Sequence, residues 1–265
     1  MQDTPLVDAH FHLWMRDHPL TATAWHAPPT DAPTEELIAT HDRNGIVFGV
    51  VAAASIHGEF RGYIRHALKS HRRLRATAVL SPQTELRHME ELKAEGFVGV
   101  RLMWSLSDKA PDIRSGDYRL FLRRIADLGW HVHLVDRPER YAESIAVIEA
   151  SGARLVIDHM GHVQTPEGVN HPGFKAILKA IERGNTWAKI SGRFRFSTAE
   201  EGNAYAQQLL RVGGGERTLW GSDWPFAGYE GKVTYDKVLA DYYDIVPDSA
   251  LRRQIDRTAL RFYFG

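Results

Sequence analysis

The chain has 265 residues, 33 basic against 33 acidic, fourteen histidines and no cysteine. Zero formal charge argues against a nucleic-acid or other polyanion binder, which needs a basic excess to neutralise phosphates. The absence of cysteine excludes disulfide scaffolds, cysteine-type zinc sites, iron–sulfur clusters and thiol catalysis. No basic segment leads into an apolar stretch at the start, and no run of about 18 apolar residues occurs, so a soluble cytoplasmic protein without a membrane partner is expected.

Short apolar, β-branched runs recur at 6–8, 46–53, 74–80, 97–103, 130–135, 155–158, 186–190 and 218–220, spaced by the length of one βα unit. The Pro-rich stretch 25–33 after the first run reads as a long loop. Helical patterns lie between the runs. The first opens at Thr34-Glu35-Glu36, with acids in its first turn, and ends at Gly45. Further patterns at 84–95, 118–128, 138–151 and 174–183 end at Gly96, Gly129, Gly152 and Gly184. Helix, glycine, apolar run is the punctuation of a left-handed cap feeding a buried parallel strand. Eight such strands in this length predict one (β/α)8 barrel over residues 1–265, with an extra closing helix at 249–262. The alternative, an open doubly wound sheet, lacks a Gly-x-Gly-x-x-Gly after its first strand.

Chemistry in such barrels sits at the C-terminal ends of the strands. Strand 1 ends in His10-Phe11-His12, and residues two apart in a strand share a face. Strand 6 ends in Asp158-His159, and strand 8 in Ser222-Asp223-Trp224-Pro225. Strands 1 and 8 are neighbours in a closed barrel, so His10, His12, His159 and Asp223 converge. They suit a general base beside polarising imidazoles, or ligands of one divalent metal. Asp158 is expected to face outward and pin a loop. Around this group lie Ser55 and His57 after strand 2, Arg101 in strand 4, His133 in strand 5, and Arg193 and Arg195 after strand 7. An arginine in an apolar strand needs an anion, and several near one mouth suit a substrate carboxylate. His131 reads as a filler of the barrel interior. Trp14, Trp25, Trp104 and Trp224 are candidates for lining a ring pocket or for packing. His18, His41, His66, His71 and His88 read as surface residues.

The segments His10-Phe11-His12, Ile157-Asp158-His159-Met160-Gly161, Lys189-Ile190-Ser191-Gly192 and Trp220-Gly221-Ser222-Asp223-Trp224-Pro225 together resemble the amidohydrolase superfamily. Within it they resemble the "amidohydrolase 2" branch, which includes lactone hydrolases acting on 2-pyrone-4,6-dicarboxylate and on sugar lactones. The resemblance implies a distorted (β/α)8 barrel and hydrolysis of a small carboxylated lactone by a monomer or homo-oligomer. It implies that Asp223 activates water, and that His10, His12 and His159 polarise the carbonyl or hold a metal. It also implies that Arg101, and Arg193 or Arg195, hold a substrate carboxylate; from their places at the strand ends, Ser55, His57, Trp104 and His133 are expected as further contacts. Arg101 stands where binuclear members place a bridging lysine or glutamate. The expected cofactor is therefore none, or one divalent ion, zinc in the first instance. Rival readings are a metal-dependent decarboxylase of aromatic or muconate-type acids, a lactone isomerase, and a non-catalytic carboxylate-binding barrel.

Overall fold

A computed structural model describes residues 6–106 and 111–265. Eight strands, β1 (Val7–Phe11), β2 (Phe48–Val51), β3 (Leu74–Ala78), β4 (Phe97–Met103), β5 (His131–Val135), β6 (Arg154–Ile157), β7 (Thr186–Ile190) and β8 (Thr218–Trp220), pair in parallel in sequence order. The barrel closes beyond β8. There Asp223 N–H donates to the His10 carbonyl at 2.7 Å and His12 N–H donates to that of Trp224 at 2.8 Å. Gly221 makes this approach feasible: a Cβ on it would lie 2.5 Å from that of His10. The result is the (β/α)8 barrel that the strand–helix alternation predicts.

Nine α-helices occur among the described residues. They are α1 (Thr34–Arg43), α2 (Gly62–Ser70), α3 (Leu86–Ala94), α4 (Gly116–Asp127), α5 (Tyr141–Ala150), α6 (Pro172–Arg183), α7 (Ala199–Gly213), α8 (Tyr235–Ile245) and α9 (Ser249–Phe264). The glycines after α1, α3, α4, α5 and α6 all take positive φ, with Gly184 at 94°, a left-handed cap that side-chain-bearing residues enter at a cost. Helix α4 begins earlier than its apolar pattern because Ser115 caps it, its Oγ accepting from Tyr118 N–H. Helix α7 starts in the same way at Thr198, whose Oγ1 accepts from Glu201 N–H at 3.1 Å. No helix is long and apolar enough to cross a membrane among the described residues.

Two apolar layers hold the barrel. Strand residues Val51, Ala76, Val100, Val132, Ile157 and Ala188 face outward and pack on buried helix residues such as Leu37, Met89, Phe121, Ile145 and Ile177. Each large side chain so buried contributes roughly 1.5–3 kcal/mol. A second cluster fills the lower interior: Val7, Ala9, Val50, Val156 and Leu219 meet Phe262 and Tyr263 of α9. Helix α9 thereby plugs the end of the barrel opposite the strand C-termini.

Strand β1 is longer than its apolar run and is bulged. Asp8 pairs with Gly49 and Phe11 with Val51, so three steps on β1 oppose two on β2. An extra residue re-aims the side chains that follow it. Asp8 accordingly turns outward, to Tyr235 Oη of α8 at 2.8 Å and His41 of α1 at 3.3 Å. His41 is fully buried there rather than on the surface. Past the bulge, His10 turns inward.

Candidate active site

Asp223 follows β8 at a positive φ of 65°, held by its N–H bond to His10 O and by Phe226 N–H donating to its carbonyl at 2.9 Å. Its carboxylate is fully buried. Oδ2 accepts the Arg195 Nε–H at 2.6 Å. Oδ1 accepts no hydrogen bond among the described residues and faces three imidazoles: His12 Nε2 at 3.5 Å, His10 Nε2 at 3.7 Å and His159 Nε2 at 3.8 Å. Burial pushes the Asp223 carboxyl up, but the Arg195 guanidinium, then His159 and His12, hold it well below the usual carboxylate range. It is therefore an anion throughout the neutral range.

The imidazoles are anchored from behind. His12 Nδ1–H donates to the Ala52 carbonyl at 2.6 Å, which fixes its proton on Nδ1 and leaves the Nε2 lone pair toward Asp223. His159 Nδ1 meets Ser191 Oγ at 3.0 Å. Burial lowers His12, and it lowers His159 to about 3. Burial, then the Lys189 charge, lowers His10 strongly. All three rings are neutral at pH 7.

Beneath them lies a second, wholly buried polar group. The Asp158 carboxylate contacts Lys189 Nζ at 3.0 Å and His10 Nδ1 at 3.3 Å, and its Oδ2 accepts Arg101 Nε–H at 3.0 Å. Burial works against the Asp158 anion, but Lys189, His10 and His133 keep its carboxyl well below the ordinary value. Burial also pulls Lys189 down to about 8 against the pull of Asp158. Asp158 thus points into the barrel, not outward as its sequence position suggests. With Arg101 and Lys189 reaching the same point, the interior supplies the partners that a buried carboxylate requires.

A cavity of about 390 Å³ opens above Asp223. His12, His159, Arg101, Arg195 and Ser55 line it with Trp14, Trp25, Met103, His162 and Tyr229. Arg101 spends Nε on Asp158 and Nη1 on the Ala53 carbonyl, and Arg195 spends Nε on Asp223 and Nη1 on the Ala227 carbonyl. Neither Nη2 has a protein acceptor among the described residues.

Four of the expected substrate contacts are not lining residues. Arg193 turns away, its guanidinium held by Asp241 at 3.1 Å and Asp244 at 2.6 Å; Arg195 takes the place expected for it. His57 Nδ1–H donates to the Pro19 carbonyl at 2.9 Å, outside the cavity wall. Trp104 packs edge-on against Tyr118, with Arg140 over its ring. His133 lies deeper in the barrel, between Lys189 and Tyr263. Of the tryptophans, Trp14 and Trp25 line the cavity and Trp224 is buried beside it. Lys189 is absent from the sequence-derived candidates. Its signal was that of Arg101, a cation in an otherwise apolar strand.

The amidohydrolase family model (Amidohydro_2) matches residues 7–265. A 4-sulfomuconolactone hydrolase of Rhizobium radiobacter is 30% identical over 273 residues, 94% of this chain and 86% of that protein. The crystal structure of a probable 2-pyrone-4,6-dicarboxylic acid hydrolase from Acinetobacter baumannii, with citric acid bound, superposes with a TM-score of 0.93. It is 25% identical, covering 98% of this chain and 100% of that one. A zinc-bound amidohydrolase from Burkholderia multivorans, 17% identical over 98% and 99% of the two chains, shares the fold at a TM-score of 0.80. The chain belongs to the amidohydrolase family, and it is a hydrolase.

Proposed function

We propose that this protein hydrolyses a lactone carrying a carboxylate. The observation that carries the reading is the free Oδ1 of a buried aspartate, ringed by three imidazole Nε2 atoms on the floor of a cavity with two half-used guanidinium groups. The substrate carboxylate docks on Nη2 of Arg101 and of Arg195, with Ser55 beside them. This places the ester carbonyl over His10, His12 and His159. Asp223 Oδ1 takes a proton from a water whose oxygen bonds to the carbonyl carbon. Of the imidazoles, His10 and His159 are left to offset the negative charge that builds on the carbonyl oxygen, since the bare Nε2 of His12 is an acceptor and cannot donate. The ring C–O bond then breaks, and Asp223 returns the proton to the departing oxygen. Arg195 keeps Asp223 ionised and uses up Oδ2, so only Oδ1 is presented to water.

His10 Nε2 and Asp223 Oδ1, buried and without a hydrogen-bond partner among the described residues, also fit one divalent ion. Nitrogen and oxygen donors of this kind favour zinc, and His12, His159 and Asp223 would hold it, joined by His10 only when its Nε2 carries no proton. Such an ion would supply Lewis-acid polarisation of the carbonyl.

Turnover of a panel of carboxylated lactones, followed as ring opening with acid release, tests the reading. Asp223→Asn is expected to lower kcat by about 10²–10⁴; near-wild-type turnover would sink the mechanism. A product that keeps its lactone ring would instead point to isomerisation.

A further inference from the structure

We propose that Lys189 is a positioning residue that sets the tautomer of His10, so that the two strand-1 histidines face Asp223 Oδ1 in opposite states: His10 as a hydrogen-bond donor and His12 as an acceptor. The Lys189 ammonium hydrogen-bonds two ring nitrogens, His10 Nδ1 and His133 Nδ1, each at 3.1 Å, and forms an ion pair with Asp158 Oδ1 at 3.0 Å. An ammonium carries three N–H donors and no lone pair. Each contacted ring nitrogen must therefore be the bare one, and in a neutral imidazole the proton then sits on Nε2. The two rings use that proton differently. His133 donates it to Tyr263 Oη at 3.1 Å. His10 Nε2 is buried with no partner among the described residues, so its N–H is kept for a ligand. His12 is fixed the other way, because the Ala52 carbonyl takes its Nδ1 proton.

His10, His133 and Asp158, all three in contact with Lys189, form a group that could hold a metal ion. The ammonium takes the role of a built-in cation for that group. It also bears on the second group, His10, His159 and Asp223, since an Nε2 carrying a proton is no ligand. Without Lys189, His10 Nδ1 would have Asp158 Oδ1 as its neighbour, would donate to it, and would turn a bare Nε2 toward Asp223 Oδ1. Lys189 thus selects between an N–H donor and a metal ligand at one position. What that donor is used for, polarising a lactone carbonyl, rests on the function proposed above; the tautomer itself does not.

The test is the ¹⁵N spectrum of the wild-type enzyme labelled in histidine, with signals assigned by single substitutions. The expected result is an Nε2-protonated His10 beside an Nδ1-protonated His12. An Nδ1-protonated His10 would overturn the proposal, and because this measurement needs no variant at position 189 it decides even if that variant does not fold. In Lys189→Met, His10 is expected to change tautomer, zinc affinity measured by calorimetry to rise at least tenfold, and kcat on a lactone substrate to fall about 10²-fold with little change in KM. An unchanged His10 spectrum or unchanged zinc affinity in the folded variant would overturn it. Failure of every lactone to react, with the tautomers as stated, would remove the functional reading and leave the Lys189 assignment standing.

Discussion

Asp223 and Arg195 form one unit. The guanidinium holds the carboxylate ionised and occupies Oδ2, which leaves Oδ1 toward the three imidazoles. Arg195→Met removes the cation that depresses the Asp223 pKa, so that pKa rises. The acid limb of the kcat/KM–pH profile is then expected to move to higher pH, and KM for a carboxylated lactone to rise by roughly tenfold or more. Arg193→Met severs pairs with Asp241 and Asp244 on the far side of the turn and is expected to leave KM unchanged. Steady-state kinetics of the two variants across pH separate these outcomes. The sequence could not distinguish the arginines: they sit two apart in one short turn, and its rotation settles which reaches the cavity.

At the level of elements, the bulge in β1 and the plug α9 position the site. Strict alternation from Asp8 would put Asp8, His10 and His12 on one face; the extra residue sends Asp8 outward and leaves the two histidines inward. The His-x-His spacing was legible, and the bulge behind it was not, because a bulge depends on the pairing with β2. Helix α9 is tied to β1 by Asp256, whose Oδ1 accepts Leu6 N–H at 2.9 Å. Burial raises the Asp256 carboxyl from 3.8 to about 6 against those backbone bonds. A folded-state pKa above the unfolded one gives stability that is fully present below about 4 and lost as pH rises through about 6. Asp256→Asn should remove that loss, so its melting temperature relative to wild type is expected to climb between pH 4 and pH 7. A flat difference across that range would contradict the assignment.

On the scale of the whole molecule, the barrel interior stores neutral histidines. His10, His131, His133 and His159 are all lowered, with burial the first cause of each. The unfolded chain binds protons below about 6.5 that the native interior refuses, so stability is expected to fall as pH drops from 7 toward 5. Each such ring contributes up to about 2 kcal/mol of that loss at pH 5. His131, with neither ring nitrogen hydrogen-bonded among the described residues, serves as the probe. His131→Phe should flatten the dependence of unfolding free energy on pH by about one histidine's share, measured by denaturant titration at pH 7 and pH 5.

The sequence by itself determined the eight strands, their glycine-ended helices, the barrel, and the gathering of Asp223 with the three imidazoles around its Oδ1. Those features are written in local chemistry: apolar period, left-handed caps, and polar residues placed just past strand ends. Only the tertiary structure decided which way the remaining polar residues face. Asp158 turned inward because Lys189 and Arg101, 31 residues after it and 57 before, reach the same point in the barrel. His41 went into the core because Asp8 was turned out to meet it. His133 and His57 found acceptors of their own, Tyr263 Oη and the Pro19 carbonyl. A buried polar group goes where its partner is, and partners on other strands and helices are fixed only once the barrel closes.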